Sequence, residues 1–307
     1  MKLNIHDETS PLRAVILGTA VSTGPVPKIE HAYDPKSIEH IKAGTYPKEI
    51  DMVREMEALN EMFQSYAVQV FRPQILNGYN QIFTRDIAFV IEDIFIKSNI
   101  LPDRAKEIDA ISQLIAKVAP LKVITACDDV HIEGGDVILW GNYIFVGVYR
   151  ESDYSDMITA RTNEAAIGFL ENLFPHKTVK AFDLVKSSTD AFNNALHLDC
   201  CFQPVGKDRA IIHKEGFKNK EDYEFLCNLF GIENLFHISK QEMYAMNSNV
   251  FSITPEVVVS ETNFVRLNSW LRSKGFTVEE VDYAEIGKQE GLFRCSTLPL
   301  IRDNPKS

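Results

Sequence analysis

The chain has 307 residues, 45% of them hydrophobic and 24% charged, which is enough apolar material for a sizeable core and too much for a disordered chain. Its formal net charge of −11 excludes a general nucleic-acid binder, which needs a basic face, and suits a cationic small molecule. No stretch approaches the roughly 18 continuous apolar residues of a membrane span, and the opening MKLNIHDETS has no apolar segment of the kind a secretory leader carries.

In chain order, residues 13–18 (RAVILG) read as a lone strand, and residues 48–66 as a helix with Met52, Met56, Leu59 and Phe63 at intervals of three or four. Residues 87–98 form the first of four predicted hairpins, two β-rich runs around an acidic two-residue turn. A helix over 103–119 follows, with Asp103 as its N-cap. The remaining hairpins are predicted over 137–147, with Gly141 and Asn142 as the turn, over 200–213, and over 250–260. Helices over 161–174, 219–230 and 262–274 lie between or after them. A hairpin followed by a helix, recurring every 50 to 65 residues with no low-complexity linker, argues for one domain spanning 1–307 and built from quasi-repeats.

The five cysteines are Cys127, Cys200, Cys201, Cys227 and Cys295. Their odd number and the lack of any C-x-x-C pair speak against a disulfide framework or a structural zinc site. The expectation is a reducing, cytoplasmic setting with buried thiols, one of them reactive.

A polar residue precedes the first strand of each hairpin: Asp86 in FTRD, Asp136 in EGGD, Asp199 in HLD and Asn247 in AMNSN. Polar residues before strands are commonly turn formers. Four in phase would converge on one cleft if the repeats surround an axis. Three of these segments carry further chemistry. In ALHLDCCF, His197 and Asp199 lie two apart in a strand-like run, which would put them on one face. In HIEGGDV, Glu133 and Asp136 flank two glycines that allow close backbone approach. Asp86 could accept two N–H bonds from a planar guanidinium. Near the carboxyl end, Cys295 follows Arg294, and a neighbouring cation favours the nucleophilic thiolate.

FTRD, EGGD, HLD, MN and a late Cys, in that order, resemble the guanidino-modifying (pentein) superfamily of arginine deiminases, dimethylarginine dimethylaminohydrolases and amidinotransferases. The resemblance runs from about Pro11 to Asp303. It implies a five-bladed α/β propeller of ββαβ-type units with pseudo-fivefold symmetry. By matching motif it also implies Cys295 as nucleophile, His197 as general acid/base and Glu133 as the acidic partner of that His. Asp86 and Asp199 resemble the carboxylates that bind the guanidinium, and Asp136 looks structural. Arg161, in an Arg-Thr-Asn segment, resembles a substrate-carboxylate ligand, with Arg150 as a competing candidate. Asp199 is a departure from dimethylarginine hydrolases, which generally lack that carboxylate, and resembles arginine deiminases and amidinotransferases instead.

The implied reaction is attack of the Cys295 thiolate on a guanidinium carbon, giving an S-amidino intermediate that water or an amine then resolves. It requires no metal and no other cofactor. Its partner is a small cationic guanidino compound; neither nucleic acid nor membrane is expected, and a homo-oligomer is left open. Two other classes compete. A metal-dependent hydrolase would use Glu133, Asp136, His197 and Asp199, and a silent guanidino-binding protein would have no use for the nucleophile.

Overall fold

The computed structural model describes residues 1–305. They form a mixed α/β fold with five separate three-stranded sheets. The strands, in chain order, are β1 (Leu12–Leu17), β2 (Gln69–Phe71), β3 (Ala88–Ile91), β4 (Ile94–Lys97), β5 (Val123–Thr125), β6 (Val137–Trp140), β7 (Tyr143–Val148), β8 (Thr178–Asp183), β9 (Phe202–Val205), β10 (Arg209–Ile212), β11 (Leu235–His237), β12 (Phe251–Thr254), β13 (Val257–Glu261), β14 (Thr277–Val281) and β15 (Thr297–Arg302). All four hairpins stand where the sequence places them: β3–β4, β6–β7, β9–β10 and β12–β13 are antiparallel pairs. Their turns use residues with positive φ, Glu92, Gly141 and Gly206 in the first three, the conformation that matches the twist of tightly connected strands.

Each hairpin's second strand then pairs in parallel with a third strand, β5, β8, β11 or β14. A parallel partner needs a crossover connection, and the helices supply it. The segments Ala165–Leu173, Lys220–Phe230 and Val265–Ser273 are α-helical inside their predicted ranges. The helix Glu49–Ser65 buries Met52, Glu55, Met56, Leu59 and Phe63 along one stripe, as an amphipathic period requires. The second crossover differs from expectation. Residues Pro102–Ile111 wind as a 3-10 helix and only Ser112–Ile115 are α-helical; Leu101, not Asp103, occupies the N-cap, and no side chain caps it. Arg104 and Glu107 are buried and hydrogen-bonded to each other there, and polar side chains turned inward break the apolar stripe that would hold a regular helix.

The strand at residues 13–18 is not alone. β1 is the middle of a sheet, antiparallel to β15 from the far end of the chain and parallel to β2. The fifth sheet thus repeats the pattern of the other four, with β15 in the place of a first hairpin strand. Apolar side chains gather in three clusters: one joins the sheets of β1, β3 and β6, one those of β6 and β9, and one those of β9, β12 and β1. Cys200, Cys201, Cys227 and Cys295 are buried free thiols, whereas Cys127 is exposed. No helix among the described residues is long and apolar enough to cross a membrane.

Candidate active site

Short turns immediately before the first strand of each sheet carry the polar side chains inward. Asp86 sits in the one-turn helix Thr84–Ile87 before β3, Glu133 and Asp136 in and beside the turn Gly134–Asp136 before β6, and Asp199 in Leu198–Cys200 before β9. Asn249 lies two residues before β12, and Cys295 two residues before β15. The backbone ties these turns together, since the Arg85 N–H donates to the Cys295 carbonyl at 3.0 Å. Both EGGD glycines are steric requirements: a Cβ on Gly134 would lie 2.3 Å from the Arg85 carbonyl oxygen, and one on Gly135 would lie 2.7 Å from the His197 ring. His197 and Asp199 are not neighbours on one strand face as expected. His197 is extended while Asp199 lies in a 3-10 turn, so the two side chains leave in different directions and meet different partners.

His197 is 1% exposed. Its Nε2 is 2.7 Å from Glu133 Oε2. Its Nδ1 has no hydrogen-bond partner and lies 4.0 Å from Asp86 Oδ1, which also has none. Burial opposes the imidazolium, but Asp86 and the Glu133 hydrogen bond outweigh it and raise the His197 pKa above its ordinary value. Burial likewise opposes ionisation of Glu133, yet Arg161 and His197 overcome it and bring its pKa down to about 2. Asp86 goes the other way: burial dominates and raises its pKa although Arg104 donates to Oδ2 at 2.9 Å. One oxygen of Asp86 is therefore held by Arg104 and the other is open.

Cys295 Sγ accepts from Asn249 Nδ2 at 3.2 Å and is 3.7 Å from Asp199 Oδ2. Asn249 Oδ1 accepts from the backbone N–H groups of Leu292, Arg294 and Cys295, so one side chain shapes the whole turn that presents the thiol. Burial, Asp199 and Asp86 hold the thiol well above its ordinary pKa, and Arg294 opposes this only in part. The reason is that Arg294 is already engaged. It binds Asp199 Oδ2 at 2.9 Å, both oxygens of Glu8, and the carbonyls of Gly134, Gly135 and Val137.

Asp86, Arg104, Arg161, His197, Glu290 and Cys295 line one cavity of about 670 Å³, roofed partly by residues 23–49. Asp199 does not line it and faces Arg294 instead. Asp136 is likewise buried away from it, accepting the Leu198 N–H at 2.8 Å and so fixing the turn that follows His197. Arg161 lines the cavity, but all three of its nitrogens are occupied, by Ile158 and Tyr33 carbonyls and Glu133. Arg150 stands apart, at the surface with Glu164. Sequence reasoning missed Asn249, Arg104, Glu8 and Glu290. The only signal was for Asn249, in the stretch where Asn247 was singled out. Donor atoms of Asp86, Glu133 and His197 lie within 4.8 Å of one another, a spacing that a cation could use. Arg104 and Arg161 already supply the positive charge these carboxylates need, and a divalent ion would meet both guanidiniums.

A family model described as "N,N dimethylarginine dimethylhydrolase, eukaryotic" matches residues 46–302. The chain is 31% identical over 246 residues to the uncharacterized protein YkgA of Bacillus subtilis (strain 168), covering 80% of this chain and 78% of that one. It is 28% identical over 310 residues to an arginine deiminase of Bacillus cytotoxicus, covering 86% and 71% respectively. Its fold is similar to that of inosamine-phosphate amidinotransferase from Streptomyces griseus, with a TM-score of 0.77 and 16% identity over 99% of this chain and 98% of that one.

Proposed function

Since the chain belongs to the N,N-dimethylarginine dimethylhydrolase family, within the pentein superfamily of guanidino-modifying enzymes, we propose that it hydrolyses a guanidino compound such as arginine or a substituted arginine through a covalent Cys295 intermediate. The observation that carries this reading is the meeting of three groups at one cavity: the Cys295 thiol, the unpartnered His197 Nδ1 and the unpartnered Asp86 Oδ1. A guanidinium N–H bound at Asp86 Oδ1 satisfies an orphaned acceptor and brings a cation to the thiol. That cation offsets the burial and the carboxylates that keep the thiol protonated, and the thiol loses its proton to solvent as substrate binds.

The Cys295 thiolate then adds to the guanidinium carbon. His197, held as imidazolium by Asp86 and Glu133, gives a proton to the departing nitrogen, which leaves as ammonia or an amine. Neutral His197 next takes a proton from water as the hydroxyl adds to the S-amidino carbon. Collapse of that adduct breaks the C–S bond, releases the hydroxyl proton to solvent, and yields a ureido product and the thiolate. Asp199 acts beside the sulfur, tied to Arg294, rather than as a second open ligand for the guanidinium. The five sheets, in this reading, surround the cavity as blades of a propeller.

The test is to incubate the protein with arginine, methylated arginines, agmatine and related guanidines, with and without amine acceptors, following small products and a Cys295 adduct by mass spectrometry. A ureido product without acceptor, abolished in Cys295→Ser, is expected. Product formed only with an acceptor would make the protein an amidinotransferase. Retained activity in Cys295→Ser, or activity lost on chelation and insensitive to thiol alkylation, would overturn the covalent scheme.

A further inference from the structure

Glu290 lies five residues before Cys295, on the cavity wall, and no step of the proposed reaction uses it. It is 4% exposed. One oxygen accepts from Asn194 Nδ2 at 2.7 Å, and the other, Oε2, has no donor. A buried carboxylate oxygen without a donor loses its hydration uncompensated. The residue also adopts a left-handed backbone conformation, φ 58°, which a non-glycine residue holds only where its surroundings enforce it.

Its other neighbour sharpens the problem. Glu290 meets the carboxyl group of Asp34, and burial together with that contact pushes its pKa well above the ordinary value. Asp34 cannot turn away, because both its oxygens are held by Ser37 at the start of the helix Pro35–Ala43. Lys36 is close enough to act on Glu290 electrostatically, but its ammonium donates to the Tyr244 carbonyl at 2.6 Å and does not line the cavity. The two carboxyl groups therefore meet here without a cation bound between them, and Glu290 lines the space that holds the substrate.

Resting on the guanidino reading of this cavity, we propose that Glu290, backed by Asp34, is a specificity-determining residue that receives a primary ammonium at the far end of the substrate. The substrates this favours are guanidines with a second cationic group, either the α-ammonium of an arginine-type amino acid or the terminal ammonium of a guanidinoalkylamine. An N–H of that ammonium donates to Glu290 Oε2, and its charge offsets the two carboxyl groups that face each other there. The guanidinium end remains at Asp86 and Cys295.

The experiment compares kcat/KM for agmatine with that for n-butylguanidine, which has the same length without the ammonium, and for 4-guanidinobutyrate, which carries a carboxylate there. The wild-type protein should prefer agmatine over butylguanidine. In Glu290→Gln, which keeps the bond to Asn194, that ratio should fall roughly ten- to hundredfold, the range for losing a hydrogen bond to a charged group. An unchanged ratio in a folded Glu290→Gln overturns the inference. If that variant does not fold, the wild-type series decides alone: equal or better turnover of butylguanidine or guanidinobutyrate overturns it. Absence of turnover with every guanidine is a distinct result, because it removes the guanidino reading and this inference with it.

Discussion

His197 works through opposed pulls on one ring. Burial disfavours its charge, whereas Asp86 and Glu133 favour it and prevail. A raised pKa keeps the imidazolium to higher pH than a free histidine, whose ordinary value is about 6.5. Activity that needs the acid form is therefore complete below that value and is lost as pH rises through the raised pKa. Replacing Glu133 by Gln removes one of the favourable contacts, so the alkaline limb of a kcat–pH profile should move to lower pH and kcat near neutrality should fall roughly a hundredfold, within the range for impaired general acid catalysis. An unmoved limb would show that Glu133 does not set the protonation of His197. Cys295 depends on its surroundings in the opposite sense: Arg294 precedes it in sequence, but its guanidinium goes to Asp199 and Glu8. Burial, Asp199 and Asp86 outweigh the adjacent cation, which lowers the thiol pKa only in part while its guanidinium is paired with carboxylates.

The turns before the strands are what position the chemistry. In EGGD the glycines let one turn pack against the Arg85 carbonyl and another face of it against His197. Gly135→Ala should displace the imidazole while its backbone, at ordinary φ, accepts the methyl group. Steady-state kinetics should then show kcat reduced about a hundredfold, the cost of a displacement near 1 Å, with KM changed far less. A fall in KM affinity with kcat intact would mean that the glycine serves substrate entry and not the histidine. Asn249 has the same kind of role before β12, since three backbone N–H groups converge on its amide oxygen and its amide nitrogen reaches the sulfur. The shift from the predicted helix at 103–119 to a 3-10 segment also serves the site, because it delivers Arg104 to Asp86.

At the scale of the molecule, both ends of the chain meet at Arg294. Glu8 comes from before β1, Asp199 from before β9, and the carbonyls of Gly134, Gly135 and Val137 from the entry to β6. All are buried, and removing the shared cation takes the ion-pair partner from two buried carboxylates. Arg294→Leu should lower the free energy of unfolding by about 3–5 kcal/mol in a denaturant titration. A loss under about 1 kcal/mol, the usual worth of an exposed pair, would show that the ends are not held through this residue.

Periodicity determined the four hairpins, the helices read over 48–66, 161–174, 219–230 and 262–274, and the in-phase polar residues, because these depend on local alternation and turn chemistry that a short window contains. Motif order was enough to suggest the family and to single out Cys295, His197, Glu133 and Asp86. Only the tertiary structure showed that β15 completes the sheet of β1, which makes Cys295 the fifth member of the same in-phase set, two residues before its strand. That pairing joins segments nearly the whole chain apart, and no window of sequence records it. The partners of Asp199, Arg161 and Arg294 were decided there too. A guanidinium binds whichever carboxylates and carbonyls the packed backbone places around it, and those come from distant turns.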